Sequence, residues 1–323
     1  MDQGCRWRRK LLFIYIKERI DIWNFHSIRS GSRLPVVRLY YRWLESGEMA
    51  EAKGSKKKKI GLALGSGAAK GLAHIGVLAE LEKQGIQPDL IAGTSMGALI
   101  GAVYAQGVGS ERMKEIARGF GQKRLSLFVE PSVPRSSLIR GQKIAEALRV
   151  IIGEVDFSSL EIPFVCLATD IGDGREIVID QGEVWRGVMA SCSIPILLPP
   201  VKKANRYLVD GGLVSPIPAR ILRDLGADVV IGVSVSSKGQ EDVDWGNRRD
   251  GSKGPNLFDI AFQTMNLIGF QASKNCLPVA DIVIEPNVDH IGWADFHRVD
   301  ECILEGERAA RNSMKQILSL AAN

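Results

Sequence analysis

Apolar residues along the chain follow two spacings, one typical of buried strands and one typical of helices. Residues 60–64 and 90–92 are uninterrupted apolar runs, as expected of strands that are covered on both faces. The segment 72–84 between them carries apolar residues at helical spacing and ends before Gly85, a residue suited to close a helix. A second helical pattern follows at residues 98–106. The pattern therefore predicts strand, helix, strand and helix in succession.

Further along the chain, short apolar runs predict five more strands. They lie at residues 164–168, 177–179, 206–209, 228–233 and 281–284. The Gly-Asp-Gly sequence at 172–174 predicts an antiparallel hairpin between the first two of them. Because strands otherwise alternate with helical segments, the chain is expected to form an α/β fold. The expected architecture is a three-layer α/β/α arrangement with a mostly parallel central sheet covered on both faces.

Two long segments interrupt this alternation and are expected to control access to a nearby site. They are residues 119–141, which contain two prolines, and the polar stretch 236–255. Long irregular loops in compact domains are often lids or linkers. The segment 257–272 that follows has a broad apolar face. Most of that face is expected to pack in the core. A smaller part of it is a candidate to line an apolar channel or to contact a membrane.

The composition describes an ordinary globular chain with a short appendage. It has 323 residues, 45% hydrophobic and 24% charged, which is enough for one sizeable core. The five cysteines form no close pair and no metal-ligand spacing, which predicts reduced thiols, a cytoplasmic setting and no metal site. A net charge of +5 is modest for this length. It argues against nucleic acid as a partner and is compatible with an anionic lipid surface.

Residues 1–58 differ from the rest and are interpreted as an N-terminal extension that ends in a basic linker. Four basic residues precede the apolar run 11–16, which is too short for a secretory core or a membrane span. Three interpretations stay open: an amphipathic helix in peripheral contact with an anionic membrane, a poorly ordered extension, and a reading frame that starts at Met49. The globular domain is expected to span residues 59–323.

A serine between glycines lies at the junction of a predicted strand and a predicted helix. The sequence Gly-Thr-Ser-Met-Gly occupies residues 93–97, directly after the apolar run 90–92. A strand that turns sharply into a helix needs small residues at Gly93 and Gly97, and the turn leaves the serine hydroxyl exposed above the sheet. The helix dipole and its free N–H groups then face whatever Ser95 attacks. This context predicts that Ser95 is a nucleophile.

A glycine-rich loop follows the first predicted strand, with the sequence Gly-Ser-Gly-Ala-Ala-Lys-Gly at residues 65–71. A dinucleotide loop would need glycine at Lys70, and a phosphate loop would need serine or threonine directly after Gly-Lys. Neither motif is met, so no cofactor is predicted. The remaining functional interpretation is an oxyanion hole, in which backbone N–H groups at Gly65, Gly67 and Ala68 face the charge that develops on a carbonyl oxygen. A plain strand-to-helix turn is the structural alternative.

A carboxylate ends another predicted strand, at Asp210, and is followed by Gly211 and Gly212. In parallel α/β sheets, sites form at the carboxyl edge of the strands, so Asp210 is expected at the same edge as Ser95. An aspartate before two glycines is also a common turn or capping residue.

These motifs resemble, in their order along the chain, those of the patatin-like phospholipase family of lipid acyl hydrolases. The resemblance rests on the loop at 65–71, the serine motif at 93–97 and the Asp-Gly-Gly sequence at 210–212. The sequence Ala-Ser-Cys-Ser-Ile-Pro at 190–195 also looks like that family's. The similarity covers roughly residues 59–300, and motifs in a fixed order are more specific than any one of them.

The resemblance implies a patatin-like fold and a Ser95–Asp210 dyad without a catalytic histidine. It further implies an acyl-enzyme intermediate and hydrolysis of phospholipid or lysophospholipid esters without a cofactor. The chain departs from the family in one respect, because the family's loop usually carries consecutive glycines where this chain has Ser66 and Ala68. Both residues are small, which keeps an oxyanion hole compatible with the loop.

Two alternatives stay open. A Ser-Asp-His triad of the α/β-hydrolase type would need a histidine after the acid, and His290 or His297 could supply it. Against this, such enzymes place several strands before the nucleophile. His74, in the first predicted helix, is expected to be structural. The other alternative is a regulatory or lipid-binding module that kept the pocket but turns over little.

Overall fold

The computed structural model describes residues 58–121, 137, 140–235, 254 and 257–322. The predicted extension at residues 1–58 lies outside the described residues, except for Lys58. Most of the two predicted access segments, 119–141 and 236–255, also lies outside them.

The described residues form an eight-stranded sheet at the centre of the fold. Its strands are β1 (Ile60–Leu64), β2 (Leu90–Thr94), β3 (Phe164–Asp170), β4 (Glu176–Ile179), β5 (Val201–Lys203), β6 (Arg206–Asp210), β7 (Val229–Val233) and β8 (Ile282–Ile284). Hydrogen-bonded neighbours follow one another in the order β5-β6-β3-β2-β1-β7-β8, and β4 also pairs with β3. Strands β2 and β6 pair with different halves of one edge of β3, and β4 pairs with its other edge. Strands β1, β2, β3, β7 and β8 run in one direction. The mostly parallel sheet is therefore confirmed.

Eight α-helices surround this sheet in the described part of the chain. They are α1 (Ala73–Lys83), α2 (Met96–Ala105), α3 (Ser110–Gly121), α4 (Gln142–Ile152), α5 (Val184–Ser191), α6 (Ala219–Asp224), α7 (Leu257–Cys276) and α8 (Val299–Ala322). The predicted helix at 72–84 is α1, with Leu72 in a short 3-10 turn before it. The predicted access segment begins too early, because α3 continues to Gly121.

The antiparallel pairs all lie at one end of the sheet. The hairpin predicted from residues 172–174 is confirmed, since β4 pairs antiparallel with β3. Strand β6, which ends at Asp210, is one of the antiparallel strands: it runs antiparallel to β3 and places Asp210 opposite Ala168. A two-residue connection from β5 makes β6 an antiparallel partner of β5 as well, which is the geometry that so short a connection allows.

Apolar side chains of the sheet belong to two hydrophobic clusters, one on each face of the sheet. In β1, Leu62 and Leu64 belong to the larger cluster, whereas Ala63 belongs to the smaller one. Successive side chains of a strand point to opposite faces, so both faces of β1 are covered. The larger cluster takes in side chains from α1, α2, α5 and α8, and the smaller one takes in α6. This arrangement confirms the three layers. None of the described helices is long and apolar enough to span a bilayer.

Candidate active site

Ser95 occupies a sharp turn between β2 and α2. Its backbone φ of 55° and ψ of −122° lie where a residue with a side chain is rarely found. Close backbone packing surrounds the turn: a Cβ at Gly93 would lie 2.5 Å from the Cα of Ala98, and a Cβ at Gly97 would collide with the carbonyl oxygen of Leu64. Both flanking glycines are therefore required, and the strained turn presents the serine hydroxyl at the end of the strand.

Ser95 and Asp210 are in direct contact. Ser95 donates a hydrogen bond from Oγ to Oδ2 of Asp210 over 2.7 Å, and Oδ1 accepts the backbone N–H of Gly212 over 2.7 Å. Asp210 is fully buried and Ser95 is 7% exposed. The intervening Gly211 has no room for a side chain, because a Cβ there would collide with the carbonyl oxygen of Leu167. The structure thus brings the two predicted residues together, and their catalytic role stays a prediction.

Strand pairing explains why two residues 115 positions apart meet. Strand β2 pairs with the first half of β3 and ends with Thr94 opposite Leu167. Strand β6 pairs with the second half and ends with Asp210 opposite Ala168. Because β4 occupies the other edge of β3, β2 and β6 lie along the same edge and meet end to end. The residue after Thr94 is therefore placed beside the carboxylate that ends β6.

Burial changes the acidity of Asp210. Loss of water around the carboxylate raises the pKa of Asp210 from 3.8 to about 6, although the hydrogen bonds from Gly212 and Ser95 act in the opposite direction. A carboxylate with such a pKa is a better proton acceptor than an exposed aspartate and is still mostly ionised at neutral pH. Asp210 can therefore accept the proton of Ser95 and later return it.

The glycine-rich loop also lines the cavity at Ser95 and Asp210, but not every backbone N–H group of the loop is available to bind an oxyanion. The N–H of Gly65 donates to the carbonyl oxygen of Val233 over 3.1 Å, which removes Gly65 from the predicted oxyanion hole. Gly67 and Ala68 line the cavity at Ser95. In the described part of the chain, neither of their backbone N–H groups donates a hydrogen bond to a backbone carbonyl. These two N–H groups are therefore the candidates for binding an oxyanion.

His74, on α1, is hydrogen-bonded to the glycine-rich loop. The ring is fully buried, and its Nε2 lies 2.8 Å from the carbonyl oxygen of Gly65. Burial lowers the pKa of His74 to about 4, against the effect of this hydrogen bond. The ring is therefore neutral at physiological pH, and Nε2 carries the proton because a carbonyl oxygen can only accept. This placement agrees with the structural role expected for His74.

Two hydroxyl groups that the sequence analysis did not single out also hold the turn. Ser191 Oγ accepts the backbone N–H of Ser95 over 2.9 Å and donates to a carbonyl oxygen of β3 over 2.6 Å. Thr94 Oγ1 donates to the carbonyl oxygen of Ser215 over 2.8 Å. The segment 190–195 did stand out through its resemblance to the family, and that was the available signal for Ser191.

The histidines of the alternative triad lie elsewhere. His290 Nε2 is 2.7 Å from Glu301 Oε1, and His297 Nδ1 is 4.0 Å from Asp295 Oδ1. Neither lines the cavity at Ser95. Among the described residues, no histidine contacts Asp210. In the described part of the chain, Ser95 and Asp210 therefore meet without a histidine partner.

Ser95 and Asp210 open into a small cavity of about 30 Å³ that is covered by α7. Three side chains of α7, Phe262, Met265 and Asn266, form part of its lining. Part of the apolar face predicted for 257–272 therefore lies over the site. A cavity of this size admits a reacting group or water, and it is too small for a whole lipid.

Comparison with protein families identifies the class. A family model described as patatin-like phospholipase matches residues 62–223, half of the chain. The match includes the glycine-rich loop, the serine turn and Asp210. The chain belongs to the patatin-like phospholipase family.

Individual relatives agree with this assignment. An uncharacterised NTE family protein of Mycobacterium tuberculosis is 36% identical over 187 residues, which are 57% of this chain and 51% of that protein. The lysophospholipase NTE1 of Scheffersomyces stipitis is 30% identical over 262 residues, covering 75% of this chain and 17% of that protein. The chain thus spans about half the length of the first relative and less than a fifth of the second.

One solved structure has the same fold. Human GIVD cytosolic phospholipase A2 superposes with a TM-score of 0.51 at 11% sequence identity, covering 88% of this chain and 63% of that one. At this identity the likeness concerns the fold alone.

Proposed function

We propose that this chain is a serine hydrolase that cleaves ester bonds of phospholipids or lysophospholipids through a Ser95–Asp210 dyad. The supporting observation is the 2.7 Å hydrogen bond from Ser95 Oγ to a fully buried carboxylate. Membership of the patatin-like phospholipase family and the name of the lysophospholipase relative support lipid esters as the substrate class. The chemistry requires no metal ion and no organic cofactor.

The first half of the reaction transfers the acyl group to the protein. Ser95 Oγ attacks the ester carbonyl carbon while its proton passes to Oδ2 of Asp210. The N–H groups of Gly67 and Ala68 and the N-terminus of α2 stabilise the oxyanion, and one such donor is typically worth about 3 kcal/mol. As the carbon–oxygen bond to the alcohol breaks, Asp210 gives the proton to the departing oxygen. An acyl-enzyme at Ser95 remains.

The second half of the reaction repeats these steps with water as the nucleophile. Asp210, ionised again, accepts a proton from a water molecule as that water attacks the acyl-enzyme. The tetrahedral intermediate collapses, the fatty acid leaves, and the proton returns to Ser95 Oγ. Asp210 must start ionised in both halves, which a pKa of about 6 permits at neutral pH.

The test compares Ser95→Ala with Ser158→Ala, a serine at an exposed position. Each full-length protein is treated with a fluorophosphonate probe, which labels only activated serines, and assayed on a panel of phospholipids, lysophospholipids and glycerides. We expect Ser95→Ala to lose labelling and to lose turnover on the order of 10⁴-fold or more, while still unfolding cooperatively. The Ser158→Ala control should behave as wild type.

Two outcomes would contradict the proposal. Turnover retained in Ser95→Ala would exclude Ser95 as the nucleophile. A wild-type protein that binds lipid, takes up no probe and hydrolyses none of the panel would be the regulatory or lipid-binding module instead.

A further inference from the structure

A second, larger cavity lies beside the helix that follows Ser95. Helix α2 forms one wall with Met96, Leu99, Ile100 and Val103, which recur at helical spacing on one face. Helices α3 and α4 form the walls opposite, and Ile75 of α1 contributes as well. The cavity has a volume of about 260 Å³, and none of the described residues that line it has a polar side chain.

The size and lining of this cavity restrict what can occupy it. An apolar cavity of about 150 Å³ already stays dry and accepts a ligand the size of benzene. The wall along α2, from Met96 to Val103, is about 10 Å long. With no polar side chain in the described lining, a headgroup with charges or hydroxyls would lose its hydrogen bonds on entering. A linear hydrocarbon chain would lose none.

The cavity begins one residue away from the nucleophile. Met96 directly follows Ser95, and its side chain lies against Gly71, where an added Cβ would be 2.6 Å from the Cβ of Met96. Leu72, the next residue after Gly71, lines the apolar cavity. Ala68, at the start of the same 3-10 turn, lines the small cavity at Ser95. Met96 and Leu72, which line the apolar cavity, thus lie next to the two segments that line the small cavity, and the unbranched side chain of Met96 can change rotamer readily.

We propose that the apolar cavity is the acyl-chain site of this enzyme, and that the chain enters it past Met96. The small cavity of about 30 Å³ holds the ester group at Ser95, and the larger one holds the hydrocarbon. This inference rests on the proposed function. Each methylene buried in the larger cavity should strengthen binding about fourfold until the cavity is full. The enzyme therefore prefers long acyl chains to short ones.

The test fills the cavity and measures the preference for chain length. Ala117 on α3 and Ala147 on α4 line the walls, so Ala117→Phe and Ala147→Phe each place a ring in the space. Val150→Phe is the matched control, since Val150 lies on α4 as well but is 80% exposed. The full chain of each variant is assayed for kcat/KM on p-nitrophenyl butyrate and on p-nitrophenyl laurate.

We expect both filled variants to lose at least about tenfold in the ratio of laurate to butyrate kcat/KM, with butyrate turnover retained. Val150→Phe should keep the wild-type ratio. An unchanged ratio in the filled variants, or an equal loss on both esters, would overturn the acyl-chain assignment. If either phenylalanine variant does not fold, Ala147→Leu is judged by the same ratio. A wild-type protein that hydrolyses neither ester would instead overturn the proposed function, and the inference with it.

Discussion

At the scale of single residues, the environment of the Asp210 carboxyl group disfavours its charged form. Its carboxyl group is fully buried and accepts hydrogen bonds from Gly212 and Ser95. Burial raises the pKa of Asp210 from 3.8 to about 6, because the charged form has lost its water. The ionised carboxylate is a better base for that reason, and it also weakens the folded state in which it is buried.

We expect Asp210→Asn to abolish turnover and to stabilise the fold above about pH 6. Below pH 3.8, the ordinary pKa that applies to the unfolded chain, the carboxyl group is protonated in both the folded and the unfolded state. The substitution should therefore change the free energy of unfolding little at such pH values. As the pH rises from 3.8 to about 6, the unfolded chain ionises first, and the wild type loses up to about 3 kcal/mol relative to the variant. Urea unfolding at about pH 4 and about pH 8 measures this difference.

Asp289→Asn, at an exposed position, is the control and should leave the free energy of unfolding unchanged at both pH values. Equal stability of wild type and Asp210→Asn at the higher pH would show that burial does not hold the pKa of Asp210 above its ordinary value.

At the scale of elements, helices α1 and α8 cross with their backbones in contact. A Cβ at Gly76 would collide with the carbonyl oxygen of Ile303, and a Cβ at Gly306 would collide with that of Ala73. Helix α1 also carries His74, whose ring is hydrogen-bonded to Gly65 in the glycine-rich loop. The position of α1 against α8 therefore helps to set the position of that loop.

Gly76→Ala should destabilise the protein by about 1–3 kcal/mol, because the two helices must move apart to admit the methyl group. The sign of this change in stability is informative, because in an ordinary helix interior alanine stabilises the helix relative to glycine by about 0.5–1 kcal/mol. Gly119→Ala on α3 is the matched control, because no atom of another described segment lies within 4 Å of an added Cβ there, and it should stabilise the protein slightly. Denaturant unfolding of both variants checks this. A stabilising effect at both positions would contradict the close crossing.

At the scale of the whole molecule, the site residues that the structure describes all lie beyond residue 58. We therefore expect the predicted N-terminal extension, with its proposed contact with an anionic membrane, to be separable from the chemistry. A chain that begins at Met49 should fold, take up the fluorophosphonate probe at Ser95 and hydrolyse short-chain esters as well as the full chain does. It should bind phosphatidylglycerol vesicles less well, and the difference should shrink with added salt, which screens charges beyond about 10 Å at 0.1 M.

Vesicle co-sedimentation and ester hydrolysis measure the two properties of the shortened chain independently. Equal vesicle binding by the two chains would reject the interfacial interpretation of residues 1–58. Aggregation of the shorter chain would show that the domain boundary is misplaced.

The sequence by itself determined the features that depend on neighbouring residues. Apolar spacing located β1 and α1, because helix and strand periods are properties of a short stretch of chain. The motif around Ser95 predicted the strained turn, since only glycine permits the backbone approach seen at Gly93 and Gly97. The resemblance of ordered motifs then joined Ser95 to Asp210 before any distance between them was known.

Tertiary structure alone decided how those residues meet and what surrounds them. Strand β6 runs antiparallel, which brings Asp210 to Ser95 along a shared edge of β3. The same folding pairs the N–H of Gly65 with Val233, so Gly65 cannot donate in the predicted oxyanion hole, and it places Ser191 against the backbone of Ser95. The apolar cavity forms where the consecutive helices α2, α3 and α4 pack around one another, with Ile75 of α1 and Phe296 closing it. Each of these features depends on how separate elements pack together, and the spacing of residues along the chain does not record that packing.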